Sequence, residues 1–148
     1  MIVPHDDNFD PNFHYDILCD GGCLNQGTDQ ASCYGSWRLR TANGKSDLIS
    51  KKPFPEGMTN NQAEYLAVIM SVEDLLCRIR GAKKLPKDFS VRIMSDSELI
   101  INQINGTYRT KNSYLMKLKH RSLDLLMQLE KFEMVKVPEF FVKTILGH

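Results

Sequence analysis

Three carboxylates stand where strands end or a helix begins. Asp20 lies in Cys19-Asp20-Gly21-Gly22, Glu64 in Thr59-Asn60-Asn61-Gln62-Ala63-Glu64-Tyr65, and Asp96 in Met94-Ser95-Asp96-Ser97. Two adjacent strand ends can bring two acids together, and a helix crossing the sheet can lower a third onto them. Three like charges a few ångströms apart are unfavourable unless something neutralises them. Hard divalent cations do so, since Mg2+ favours carboxylate oxygens and water. Two such ions side by side would stabilise the attacking and leaving oxygens of a phosphoryl transfer. Each acid alone also has a bland role: Asp20 as a turn residue, Asp96 as a helix cap, Glu64 as a first-turn dipole partner. The chemical reading rests on all three together.

The elements around them follow from periodicity. Tyr15–Cys19 reads as a strand ending at an Asp20-Gly21-Gly22 turn. Ser32–Arg40 and Lys45–Lys51 read as two further strands, joined by Thr41-Ala42-Asn43-Gly44, whose Asn-Gly pair favours a hairpin. Pro53–Met58 is a loop. Thr59-Asn60-Asn61 offers N-caps for a long helix to Arg80, with Ala63, Leu66, Ala67, Met70, Leu75 and Ile79 near helical spacing. Phe89–Ser95 alternates as a strand, and Ser97 caps a short helix ending at Gly106. Asn112 or Ser113 opens a helix with Leu115, Leu118, Leu125, Leu126 and Leu129 on its apolar face. Met134–Val137 is a last strand, and Pro138 suits the first turn of a terminal helix, Glu139–Leu146. A hairpin-linked triplet followed by β and α units implies an α/β fold, a mixed sheet with helices packed on it.

The chain has 148 residues, 42% hydrophobic and 25% charged, which suits one globular domain over residues 14–148 behind a flexible tail, residues 1–13. That composition excludes disorder and a bundle of membrane helices, and no apolar run nears the roughly 20 residues that span a bilayer. The N-terminus lacks the basic start and apolar core of a signal peptide. Four cysteines without a C-x-x-C pair suggest an intracellular, cytoplasmic protein whose thiols are reduced and serve as small core hydrophobes. Residues 1–75 hold 5 Lys and Arg against 11 Asp and Glu, whereas residues 76–148 hold 14 against 7. Such asymmetry suits a cation site beside a phosphate-binding surface, although a solvated surface could show it too. Arg109, Lys111, Lys117, Lys119 and Arg121 lie in one stretch without an acid, near Tyr108 and Tyr114. That run could track a nucleic-acid backbone or form a solvated helix face.

Asp20-Gly21-Gly22, the Thr59-to-Glu64 block and Ser95-Asp96-Ser97, in this order, resemble ribonuclease H of type 1. Asn102-Gln103-Ile104-Asn105-Gly106-Thr107-Tyr108 with Lys111-Asn112 resembles a stretch of its compact archaeal and bacterial members. The resemblance runs from Tyr15 to the C-terminus. It implies a five-stranded mixed sheet, two Mg2+ or Mn2+ ions, and cleavage of the RNA strand of RNA–DNA hybrids. Asp20, Glu64 and Asp96 would be catalytic metal ligands. Asn60, Asn61 and Gln62 would lie near the minor groove of the hybrid, where the 2′-hydroxyl tells RNA from DNA, and Gly21, Gly22 and Asn25 would bind substrate too, the main-chain amides around Gly22–Asn25 approaching the scissile RNA strand closely. Arg109 and Lys111 would add phosphate contacts. Asn60 and Asn61 also suit helix capping. No membrane and no obligate protein partner is implied.

The family usually adds a fourth acid on the terminal helix. Counted from Pro138 it would fall near Leu146 to His148, where no acid stands, and Glu139 begins the helix too early. Either His148 replaces that acid as a catalytic metal ligand, or the chain is truncated, or the protein is a weak or inactive relative. Two other readings compete with a hybrid-specific nuclease. One keeps the fold but cuts double-stranded RNA or structured DNA. The other is a non-catalytic hybrid-binding module, which would have little reason to keep three clustered acids.

Overall fold

A computed structural model describes residues 7–26, 28–42 and 48–147. Strands β1 (Tyr15–Leu24), β2 (Ser32–Thr41) and β3 (Leu48–Phe54) form an antiparallel meander. Strands β4 (Ser90–Ser95) and β5 (Lys131–Lys136) then add in parallel, giving the sheet order β3-β2-β1-β4-β5. Helices α1 (Asn60–Gly81), α2 (Glu98–Ile104), α3 (Ser113–Leu126) and α4 (Glu139–Leu146) complete the α/β architecture expected from the sequence.

Period-2 alternation divides the helices between the two faces. Ile17, Cys19, Trp37, Leu39, Val91 and Ile93 pack with the apolar sides of α1, α2 and α3. Their neighbours Leu18, Met94 and Val135 point the other way and meet Phe141, Val142 and Leu146 of α4. The rest of that second face is ionic. Asp16 pairs in register with Arg40 on one side and Arg92 on the other, and its carboxylate binds Arg40 at 2.6 Å. The segment read from the sequence as a tail reaches this row. Asp7 binds Arg38 at 2.5 Å and Arg40 at 3.4 Å, the Phe9 ring lies under Arg40, and Phe13 is buried.

Several boundaries differ from the sequence expectation, for tertiary reasons. The first strand does not stop at Cys19. Asp20-Gly21-Gly22 continues it, because β2 pairs with every residue from Tyr15 to Leu24 and absorbs the turn signal into the ladder. The third strand reaches Phe54 and includes Pro53, tolerated because β3 is an edge. The last strand runs Lys131–Lys136, starting earlier than expected, because β4 pairs with it from Ser90↔Lys131. Asn43 and Gly44, where the hairpin was expected, lie outside the described residues.

Two glycines permit the closest contacts. A Cβ at Gly21 would lie 2.1 Å from the Ala63 carbonyl oxygen of α1, and one at Gly35 would lie 2.0 Å from the Phe54 ring. Gly21→Ala would force β1 and α1 apart at fully buried Ala63, and overpacking of this kind costs about 3 kcal/mol. The expected outcome is a lower denaturant midpoint at unchanged m-value; a midpoint equal to wild type would show that the contact is looser than described.

Candidate functional site

Strands β1 and β4 pair from Tyr15↔Val91 to Leu18↔Met94 and then separate. Asp20 lies two residues past that point on β1, and Asp96 follows the last residue of β4. Helix α1 starts over the same end. Its cap is Thr59, whose hydroxyl accepts from the Gln62 N–H while the Gln62 side chain accepts from the Thr59 N–H, both at 3.2 Å. The contact between Gly21 and Ala63 then lays Glu64, the next residue, over β1. Asp20, Glu64 and Asp96 line one cleft of about 750 Å³. Ser97 ties two of its walls, accepting from Ile100 N–H at 3.3 Å to cap α2 while its side chain hydrogen-bonds Glu64.

Burial first, and neighbouring acids second, raise the proton affinity of these carboxylates. Glu64 is pushed up to about 7, chiefly by desolvation and then by the charges of Asp96 and Asp20. Asp96 is pushed up to about 6 by desolvation, then by Asp20 and Glu139. Asp20 is raised by desolvation, against which the Tyr34 hydroxyl works as a hydrogen-bond donor at 3.3 Å. Tyr34 is pushed up to about 12, so it stays a neutral phenol. The donor set, three carboxylates in an open cleft, fits a hard divalent cation. Among the described residues no group of three or more His, Cys, Asp or Glu side chains is arranged to hold an ion as it stands.

Of the residues singled out in the sequence, Asp20, Gly21, Gly22, Asn60, Glu64 and Asp96 share the cleft. Asn60 is also structural, its Oδ1 accepting the Cys23 N–H at 2.8 Å. Asn25 sits in the β1–β2 loop with φ 55, where its carbonyl accepts from the Thr28 hydroxyl. Asn61 and Gln62 stay in the first turn of α1 outside the cleft lining, as do exposed Arg109 and Lys111 beyond α2. Arg121, in the basic run, is paired with Glu73. His148 lies outside the described residues.

Several lining residues were not foreseen. Glu139, set aside as too early in the helix, lines the cleft with Lys143, to which it is paired at 2.8 Å. Glu139 and Lys143 of α4 reach the cleft, and Val137 and Phe141 pack the helix on Leu18 and Met94. Tyr34, Lys51 and Lys52 form the opposite wall. The expectation of four reduced, buried cysteines is also corrected. Cys23 and Cys33 face each other in register and form a disulfide, and Cys77 is exposed. Only Cys19 is a buried free thiol. A signal for this pair existed: ten residues separate the two cysteines across one strand connection.

The reverse transcriptase-like family model matches residues 18–139. Among solved structures, the chain resembles LC11-RNase H1, isolated from compost, at 27% identity and TM-score 0.73, over 88% of each chain. The same LC11 protein in complex with an RNA/DNA hybrid matches at 27% identity and TM-score 0.72, over 85% of this chain and 86% of that one. RNase H1 from the halophilic archaeon Halobacterium salinarum NRC-1 shares the fold at 21% identity and TM-score 0.72, over 87% of this chain and 89% of that one. Among the described residues no helix is long and apolar enough to cross a membrane.

The raised carboxylates set a pH dependence for the metal-free protein. Their folded values lie above the unfolded ones, so they bind protons more tightly when folded. Their contribution to stability is complete below about pH 4 and is lost as pH rises through about 6 to 7. Glu64→Gln removes one titrating group. Its melting temperature is expected to gain on wild type between pH 4.5 and 7.5 and to run parallel above; parallel curves throughout would mean that Glu64 is not desolvated.

Proposed function

Because this chain belongs to the reverse transcriptase-like family, and with it to the type 1 ribonucleases H, we propose that it hydrolyses the RNA strand of RNA–DNA hybrids. One observation carries this reading: Asp20, Glu64 and Asp96 converge on a single cleft, where Asp96 and Asp20 raise the proton affinity of Glu64 and Asp20 raises that of Asp96. A protein gains no stability from gathering negative charges in a partly buried place. The arrangement makes sense when a cation and a phosphate share it.

Asp20, Glu64 and Asp96 are the residues that would hold Mg2+ or Mn2+, two ions in the full site. Bound there, divalent cations supply neutralisation of the phosphoryl oxygens and an activated water. The chain supplies the rest. Lys51 and Lys52 on one wall and Lys143 on the other offer ammonium groups to backbone phosphates. Asn60, its oxygen committed to the Cys23 N–H, keeps its amide NH2 as a donor for a ribose hydroxyl or base edge. Gly21 and Gly22 keep that part of β1 free of side chains beside the acids. The LC11 relative in complex with a hybrid supports this choice of substrate.

The test is a gel assay with labelled RNA–DNA hybrid, double-stranded RNA and double-stranded DNA, with and without Mg2+ or Mn2+. Cleavage confined to the RNA strand of the hybrid and dependent on the cation is expected. Asp96→Asn should reduce it by about 10²-fold or more while leaving the circular dichroism spectrum unchanged. Equal cleavage of the all-DNA duplex, or full activity in Asp96→Asn, would overturn the assignment.

A further inference from the structure

Tyr34 hydrogen-bonds Asp20, and neither its residue type nor the family motifs give it a role. It sits on β2 directly opposite Gly22 and diagonally from Asp20, two residues back along β1. Diagonal neighbours of an antiparallel pair share a face and lie within reach of a long side chain. The phenol crosses that diagonal over a bare backbone: a Cβ on Gly22 would lie 3.1 Å from its hydroxyl oxygen and 3.3 Å from Cε1. Its O–H donates to Asp20 Oδ2 at 3.3 Å. The Lys51 ammonium lies 5.7 Å from the ring centroid, and the Cys23–Cys33 disulfide ties the next register pair of the two strands.

We infer that Tyr34 is a positioning residue, fixing the orientation of the Asp20 carboxylate for the divalent cation of the proposed reaction. This rests on the reading of the cleft as a cation-dependent nuclease site. The terminal torsion of an aspartate is broad and roughly two-fold, so a carboxylate without a fixed donor samples many orientations. A ligand that samples many orientations loses entropy on binding the ion, and a donor on one oxygen removes that cost in advance. Groups that orient metal ligands in this way are worth about 10–100-fold in affinity or activity. Tyr34 stands on a strand cross-linked to β1, so its hydroxyl is delivered by rigid backbone rather than a loop. The second glycine of Asp20-Gly21-Gly22 thereby acquires a purpose: it leaves room for the phenol.

Tyr34→Phe separates this role from mere space-filling, since phenylalanine fills the same volume over Gly22 without the hydroxyl. Mn2+ binding is measured on the purified protein by electron paramagnetic resonance of the free ion, alongside steady-state cleavage of hybrid and thermal melting. The expected result is a Kd for Mn2+ raised about tenfold and a kcat lowered about tenfold, with KM for hybrid within about twofold and the melting temperature nearly unchanged. Wild-type values for Kd and kcat in Tyr34→Phe would overturn the inference. So would a rise in KM alone, which would make Tyr34 a substrate contact, or a fall in melting temperature with Kd unchanged, which would make it structural. Failure of wild type itself to bind Mn2+ or cut hybrid would instead overturn the reading of the cleft.

Discussion

At Gly21 the backbone of β1 meets the Ala63 carbonyl of α1 with no room for a side chain between them. Everything in the cleft depends on that approach. A helix normally stands off a sheet by the thickness of the side chains between them. Here glycine below and alanine above close the gap locally, so the residues next to each, Asp20 and Glu64, are brought to the same level. Small residues beside acids are therefore part of one device: Gly21 and Ala63 set the distance, and Asp20 and Glu64 use it. The capping box of Thr59 and Gln62 fixes where the helix starts, and hence which turn lies over the strand.

The sheet supplies the third acid by ceasing to pair. Parallel pairing of β1 with β4 ends at Leu18↔Met94, and beyond it the strands separate and open a crevice at their carboxyl ends, where ligands bind in open α/β sheets. The two faces of β1 carry different loads on either side of that point. At its start, Asp16 lies between Arg40 and Arg92 in a neutralised ionic row, closed by Asp7. Past Leu18, α4 covers the face with apolar contacts and brings Glu139 and Lys143 to the crevice. Carboxylates near the start of β1 are matched by arginines within the fold. Those at the crevice have their proton affinity raised first by burial and then by the charges of neighbouring acids.

The sequence was most legible where local chemistry and tertiary structure agree. Ser97 caps its helix as expected, and of the candidates Thr59-Asn60-Asn61 and Asn112 or Ser113 the caps are Thr59 and Asn112, because a cap needs only its own first turn. Asp20, Glu64 and Asp96 line one cleft, and a helix start for Glu64 and a strand end for Asp96 are positions that patterning reveals. Legibility failed where a long-range partner decided the outcome. Asp20-Gly21-Gly22 looks like a turn in isolation and is a strand only because β2 is there to pair with it. Tyr34 gains its place from register, which a single strand does not encode. The Cys23–Cys33 bond depends on the same register. Glu139 was misjudged because its distance from the acids was counted along the helix rather than from the end that packs on Leu18 and Met94.

Charge in this protein is organised in space rather than along the chain. The first half is acidic and the second basic, yet the cleft takes Lys51 and Lys52 from the acidic half and Asp96 and Glu139 from the basic half. What emerges is a floor of half-buried acids with ammonium groups on the walls. The Glu139–Lys143 pair shows how the two interact: Glu139 raises Asp20 and Asp96 while Lys143 lowers them. Because the pair is exposed and of the i, i+4 kind, it is itself weak. A phosphate entering the cleft competes with Glu139 for the Lys143 ammonium, and a cation among the acids weakens the hold of Lys143 on them. On the proposed reading, cation and phosphate would favour each other's entry, since each would relieve a repulsion that the other leaves exposed.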